Sequence, residues 1–371
     1  MSVTETTTVS WGSRLGSSIK GIVIGFVLFG LGFPVLFWNE GRTVSETRTN
    51  EFGVENVVEA EAGTIDAAQE GALVHVVGEA KTDEVLTDDV YGVSENAFRL
   101  SRKVEMYQWV EETETREEKK LGGKIERTTT YSYTKEWCDR AVSSDGFKEP
   151  DKINPPARCD LGHDTIYART ATLGARRLTE SQIKGIGGEE TLAIRYNPVG
   201  TNEFFEVTNV PAPKIGDVRV TFTAVKAPKT ITVVAAQKGD TFMGYTVPTT
   251  KKTISHVKTG AVDAAGVFAS AERTNKLVAW ILRFVGFFMM FVGLKMVLAP
   301  LQVLADVVPF IGSIVGFGTG LVSFAIAAPC ALVTIAVAWI YYRPVVACIL
   351  LALAAGIVYL VWSKRKVANP A

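Results

Sequence analysis

Histidine and cysteine are the residues of this 371-residue chain best suited to catalysis or metal binding, and there are three of the first and four of the second. His163 lies close to Cys159, Asp160 and Asp164, with Cys138 upstream, a donor set from which a metal site can be drawn. The spacing does not follow the paired C-x-x-C pattern of a strong zinc site. Three states of these residues stay open: a metal centre, a Cys138 to Cys159 disulfide in an oxidising compartment, or free thiols. His75 sits inside an apolar run and His256 follows another. Neither has a Ser, Cys or carboxylate at a spacing that suggests a triad, so both are read as structural.

Two further groups invite a chemical reading. The cluster Gly316-Phe317-Gly318-Thr319-Gly320 would cradle a phosphate if it followed a strand in a soluble domain. It stands among Phe, Ile and Val in a lipid-like stretch, where close helix packing is the simpler use. Arg283, Lys295 and Asp306 are ionisable groups in or beside apolar stretches, where charge is costly. Each is near a span end, so snorkelling to the headgroups accounts for all three. The sequence therefore assigns no catalytic, cofactor-binding or metal residue, and the chain reads as a non-enzyme without a cofactor.

The elements that would position these residues follow from the distribution of charge. It is dense from Arg42 to Lys276; from Leu277 to Trp362 only Arg283, Lys295, Asp306 and Arg343 interrupt long apolar runs. A bilayer core about 30 Å thick needs about 20 apolar residues in a helix, and residues 21–38 meet that length, after a cytoplasmic tail of residues 1–20. No small-residue cleavage site follows, so the segment reads as a retained anchor and not a signal peptide. A second span is expected over residues 277–300, closed by Pro300. The apolar stretch of 301–342 exceeds one bilayer crossing, so a Gly-rich interfacial segment leading into a third span from Leu321 to Tyr342 is expected. Tyr341-Tyr342-Arg343-Pro344 reads as an interfacial turn. Residues 343–362 form the fourth span, before a basic tail of 363–371.

Lys364-Arg365-Lys366 is the densest basic run beside any span, which puts the C-terminus in the cytoplasm. Four spans put Arg14 and Lys20 on the same side, and residues 39–276 outside the cytoplasm. Equal numbers of acidic and basic residues, 39 each, and the lack of a basic stripe exclude nucleic acid as a partner. No N-x-Ser/Thr sequon occurs, as suits a bacterial protein.

Strand signals dominate residues 39–276. Leu73–Val77, Val218–Phe222 and Thr230–Val234 are β-branched runs between Gly, Asp and Pro breaks. A hairpin joins Lys103–Val110 to Thr129–Trp137 across a charged connection with Gly122-Gly123, and Glu111 to Lys120 reads as its solvated end. Tyr107 with Trp109, and Tyr131 with Tyr133 and Trp137, share faces and are expected to cover a core. Helices are expected over residues 172–185, with Thr179 as a cap, and over 263–276 leading into the second span. The fold class is thus a membrane protein with four transmembrane helices, one N-terminal and three C-terminal, and a large inserted α+β domain, mainly antiparallel β.

These residues resemble the transmembrane protein 43 family, also called LUMA. The resemblance runs through Asn39-Glu40-Gly41-Arg42, Leu73–Gly78, Tyr91-Gly92-Val93, Val104–Glu111 with Tyr131-Ser132-Tyr133 and Glu136-Trp137, Gly216–Val220, Lys238-Gly239-Asp240 and Tyr342-Arg343-Pro344. It implies four spans, cytoplasmic termini and a luminal domain. It also implies residence in the endoplasmic reticulum and inner nuclear membrane, or the cell membrane of a bacterium, and association with itself, lipids and other membrane proteins as an organiser of membrane complexes. It carries over no catalytic residue. The expected function is a homo-oligomeric membrane scaffold. The alternatives are a channel or channel accessory subunit using Gly316 to Gly320 as a pore lining, or an enzyme acting on lipid or envelope material.

Overall fold

Apolar runs of about 20 residues or more become helices in this chain, and short β-branched runs between turn residues become strands. The computed structural model describes residues 3–156, 160–193, 203–205 and 212–345. The chain folds as two units: one comprises the residues up to Glu5, Thr49–Arg116 and Thr128–Ser270, the other Thr6–Arg48, Glu117–Arg127 and the residues from Ala271 onward. The α-helices among the described residues are α1 (Trp11–Asn56), α2 (Glu180–Gly185), α3 (Ala264–Ala305) and α4 (Pro309–Tyr342).

The strands begin with β1 (Val3–Val9), β2 (Val58–Glu61), β3 (Leu73–Lys81), β4 (Val85–Asp88), β5 (Val93–Lys119) and β6 (Ile125–Cys138). Short strands follow: β7 (Gly162–Tyr167), β8 (Thr172–Leu173), β9 (Arg176–Arg177), β10 (Glu190–Thr191) and β11 (Glu203–Phe205). The last are β12 (Val218–Lys226), β13 (Lys229–Lys238), β14 (Thr241–Met243), β15 (Tyr245–Thr246), β16 (Thr253–Ile254) and β17 (His256–Thr259). One sheet runs β1-β6-β5-β12-β10, with β11 beside β12 and β4 and β7 beside β5. A second runs β17-β13-β14-β9-β8-β3-β2, and the β13–β3 pairing closes part of it on itself.

The burial patterns explain the sequence. In β12, Val218, Val220, Phe222 and Ala224 enter the core while Arg219, Thr221 and Thr223 point away, the alternation of a sheet with one covered face. In β13 the run Ile231 to Gln237 is buried throughout: Ile231, Val233 and Ala235 join the core shared with β12, and Val234 joins a second cluster with Leu73, Val267 and Phe268. A strand covered on both faces has no polar positions to alternate, which is why β3 and β13 read as continuous apolar runs.

The hairpin is β5–β6, and the stretch from Glu111 to Lys120 is its exposed far part, still in strand form nearly to its end. Its aromatic rows do not cover a core. Tyr107, Trp109, Tyr131, Tyr133 and Trp137 are half-buried; Lys135 and Lys152 stand over the Trp109 ring and Arg219 over Trp137. The helix expected over 172–185 is shorter: β8 and β9 occupy its first half, and Thr179 caps α2 through a capping box with Gln182.

Three helices, α1, α3 and α4, are long and apolar enough to cross a membrane, one N-terminal and two C-terminal. Of the fourth expected span, residues 343–362, all but the first three residues lie outside the described residues, as does the basic run at 364–366. The N-terminal tail of residues 1–20 contains β1 and the first turns of α1. Pro300 does not close the second span, which continues to Ala305. The Gly-rich segment is not separate either: α4 is one helix of 34 residues, with Pro309 in its first turn. Among apolar side chains the helix is the one backbone form that satisfies its own peptide groups, so Gly316 to Gly320 and Pro329 stay helical. Gly312, Thr319, Ser323, Ala327, Ala331, Thr334 and Ala338 are the small buried residues on one face of α4.

Close helix packing occurs at other glycines. A Cβ on Gly25 would lie 2.6 Å from the Gly293 carbonyl oxygen, and one on Gly293 would lie 2.6 Å from the Gly25 oxygen. Seven residues later on α1 and seven residues earlier on α3, Gly32 and Gly286 are likewise crowded by α3 and α1. Nothing lies within 4 Å of a Cβ on Gly318 or Gly320, and Gly316 faces Gln302. Leu36, Met290, Ala327 and Ala331 form the core of this bundle, with Phe29, Phe33, Phe287 and Phe291 against it.

Candidate functional site: a buried polar seam between membrane helices

Spacing of three and four residues puts Asn39, Thr43 and Thr47 on one face of α1 and Asn275, Ala279 and Arg283 on one face of α3. The two faces meet. Asn39 donates from Nδ2 to the Ala279 carbonyl at 3.0 Å, and Asn275 donates to the Thr43 carbonyl at 3.1 Å. Thr47 donates to Glu272 Oε1 at 3.0 Å. The centre is Glu40, 1% exposed. Arg283 donates to both of its oxygens, Nε at 2.6 Å and Nη2 at 2.8 Å, and Trp339 of α4 donates from Nε1 to Oε2 at 2.8 Å. The carboxylate thus ties three helices together, and its planar fork-to-fork pairing is the strongest geometry open to such groups.

Arg283 is therefore not a snorkelling residue; its guanidinium also lies over the Trp280 ring at 5.0 Å. Asp306 is not solvated at a span end either. It is fully buried, paired with Arg14 through Oδ2 and with Lys119 Nζ through Oδ1 at 2.6 Å. Arg14 also donates to the Gly123 carbonyl at 2.7 Å, Trp11 Nε1 to the Val303 carbonyl at 2.8 Å, and the Gly122 amide to the Val307 carbonyl at 3.0 Å. The hairpin tip and the start of α1 thus share one end of the bundle. Lys295 is exposed but lies midway between Arg283 and Asp306 on α3, not near the span end at which snorkelling is expected.

From Arg14 to Glu40 along α1 is about 39 Å, and from Arg283 to Asp306 along α3 about 35 Å, so the two charge clusters bracket a length close to the ~30 Å hydrocarbon core. Between them the charged residues are Lys20 and Lys295, and the other polar side chains are Ser17, Ser18, Asn39 and Gln302 with the hydroxyls of α4. Ser323 and Thr334 return their hydroxyls to the carbonyls of Thr319 and Cys330 on their own helix.

The residues drawn as a metal set do not converge. His163 Nε2 pairs with Asp139 at 3.0 Å, Asp164 with Arg102 at 3.5 Å, and Asp160 accepts from the Tyr91 hydroxyl at 2.5 Å. Among the described residues no group of three His, Cys, Asp or Glu is placed to hold a metal. Cys159 is outside the described residues; Cys138 is half-buried, and burial raises its thiol above the usual range. His75 is 3% exposed, its Nδ1 2.6 Å from Glu59 Oε2 and its Nε2 2.8 Å from the Val262 carbonyl. His256 packs edge-on to Phe268 at 5.9 Å.

Reasoning from sequence missed Glu40 and Asn275 as seam residues. The signal was a carboxylate directly after an apolar span, Asn39-Glu40-Gly41-Arg42, with an arginine inside the next one; nothing local says that they pair across 243 residues.

A family model described as Transmembrane protein 43 matches residues 106–344. The chain is 30% identical over 354 residues to transmembrane protein 43 of Rattus norvegicus, covering 91% of this chain and 88% of that protein. It is 29% identical over 358 residues to the Homo sapiens protein (92% and 89%) and 28% identical over 368 residues to the Drosophila melanogaster homolog (94% and 95%). No solved structure matches the chain.

Proposed function

We propose, from the premise that this chain belongs to the transmembrane protein 43 family, that it is an integral membrane scaffold whose helix bundle is held rigid from within and offers its outer surface to other membrane proteins, lipids or copies of itself. The observation that carries this reading is the use made of the buried charge. Glu40 accepts three hydrogen bonds from α3 and α4, which commits most of its lone pairs to holding helices together. The outer faces of α1, α3 and α4 carry exposed Val27, Leu31, Phe284, Phe288, Phe317 and Leu321, the apolar surface that lipid or another helix would cover.

The reading includes residues 343–362 as a fourth span and a cytoplasmic C-terminus, both supported by the apolar run Val345 to Trp362 and the basic residues after it. It places the sheets between α1 and α3 outside the lipid, on the non-cytoplasmic side, in a cell membrane or in the endoplasmic reticulum and inner nuclear membrane. The shared Asp306 site weighs against a cytoplasmic N-terminus combined with a wholly non-cytoplasmic hairpin, because it asks that Lys119 and Arg14 meet at one membrane face.

The test is the mass of the purified full chain in native nanodiscs, together with whatever copurifies. A discrete homo-oligomer or a reproducible protein partner supports the scaffold; a strict monomer without partners sinks it.

A further inference from the structure

Arg42 is the one seam residue whose charge has no counterpart among its hydrogen-bond partners. Its Nη1 donates to Asn275 Oδ1 at 3.2 Å and its Nη2 to Asn39 Oδ1 at 3.4 Å and Thr43 Oγ1 at 3.3 Å, all neutral and all long. Its Nε is buried and has no hydrogen-bond partner among the described residues. Of the carboxylates in the seam, Glu40 is taken by Arg283 and Trp339, and Glu272 accepts from Thr47 and Asn275. Residues 346–371, which follow α4, contain no Asp or Glu. A half-buried guanidinium with a buried, unsatisfied Nε and neutral partners alone is costly, and an anion at its open side relieves that cost.

The level of Arg42 along the bundle says which anion is at hand. Trp38, one turn before it, is 59% exposed; Trp280 and Tyr341 are 64% and 71% exposed. Amphipathic rings exposed at the end of apolar helices mark the headgroup layer. Arg42 stands on the polar side of that ring belt. Arg48, six residues on, donates to the Tyr342 carbonyl at 3.2 Å, and the Tyr342 ring fills the space beside Gly41. Arg273 and Lys276 are exposed at the start of the apolar part of α3. The surroundings are those in which a planar, always-charged fork meets phosphate.

We propose that Arg42 is the anchor of a phosphate seat at the headgroup level, occupied by an anionic phospholipid. The recognised chemistry is a phosphate monoanion, which a free phosphate ion also offers, so the experiment separates the two.

The full chain is reconstituted in nanodiscs of phosphatidylcholine with or without phosphatidylglycerol, and lipid retention is read by native mass spectrometry beside thermal stability. The wild type retains phosphatidylglycerol over phosphatidylcholine. Arg42→Gln lowers that preference roughly tenfold, the loss of one charge-assisted contact, whereas Lys295→Gln, an exposed cation elsewhere, leaves it unchanged. Stabilisation of the wild type by inorganic phosphate in pure phosphatidylcholine discs, absent in Arg42→Gln, identifies the free ion as the occupant and upholds the seat; stabilisation by phosphatidylglycerol alone identifies the lipid. Should Arg42→Gln not fold, Arg42→Lys keeps the charge, loses the fork and shows a smaller drop in retention. Equal retention of the two lipids by the wild type, or equal preference in wild type and both Arg42 variants, overturns the proposal.

Discussion

Arg283 meets Glu40 through two parallel hydrogen bonds, 2.6 and 2.8 Å, on a carboxylate that is 1% exposed. The pair lies at the edge of the apolar part of the bundle, where bringing in either charge alone is far more costly than bringing in both. Its contribution is therefore asymmetric. Glu40→Ala should lower the stability of the full chain in detergent by about 3–5 kcal/mol, because Arg283 is left buried and unpaired. The double change Glu40→Leu with Arg283→Leu should recover most of that loss. A cycle of the two single variants and the double one, unfolded by denaturant, checks it; additive losses would show that the two groups do not depend on each other.

Gly25 and Gly293 cross with no room for a side chain on either. Gly293→Ala forces its new Cβ to within 2.6 Å of the Gly25 oxygen and the Phe29 amide, so α1 and α3 must separate, at a cost of about 1–3 kcal/mol. Gly318→Ala meets nothing within 4 Å and removes a poor helix former, so it should be neutral or gain up to about 1 kcal/mol. Thermal unfolding of the two variants side by side decides the matter. A glycine pore lining or a tight α4 interface at Gly318 would reverse the order.

These two cases show what could be read in advance. The strands β3, β12 and β13 were legible because β-branched residues between turn residues need little context, and the Thr179 cap because a capping box is local. The hairpin turn at Gly122-Gly123 was legible for the same reason; both residues have positive φ. The ends of the spans were not. Proline and glycine signal a break in water, where backbone groups can turn to solvent, but that alternative is missing among apolar side chains, so α3 passes Pro300 and α4 passes Gly316 to Gly320. The seam was also hidden, since Glu40 with Arg283 and Lys119 with Asp306 are pairings over 243 and 187 residues. An isolated Arg in a span looks alike whether it snorkels or pairs.

Glu84 offers a pH-dependent test in the sheet unit. Its carboxylate accepts from the Thr170 hydroxyl at 2.5 Å and from the amides of Thr170 and Arg169 at 2.6 and 3.1 Å. The Thr170 hydroxyl first, and then the Arg169 amide, hold its carboxyl below the ordinary value of 4.5. Since the folded value is depressed, the ionised group stabilises the fold above pH 4.5, and this contribution is lost as pH falls through the folded value. Wild type and Glu84→Gln should therefore differ in melting temperature at pH 7 and converge as pH falls below 4.5 and through the depressed folded value. A constant difference across that range would show that Glu84 acts through packing and not through its charge.

Arg14 and Lys119 share the Asp306 carboxylate, and this has a consequence for topology. Two side chains on one buried carboxylate must approach it from the same end of the bundle. Leu121, at the hairpin tip, is 81% exposed, and Ser10, just before α1, is exposed too. In a background with Cys138, Cys159, Cys330 and Cys348 replaced, Leu121→Cys and Ser10→Cys should both react with a membrane-impermeant maleimide from the same face of sealed vesicles. Asp306→Asn removes the charge that holds both cations and should loosen the tip, seen as faster labelling of Leu121→Cys with the labelled face unchanged. Labelling of the two positions from opposite faces would mean that the Asp306 cluster does not form in the bilayer. The tip would then stay with the sheets, and Arg14 would face the cytoplasm alone.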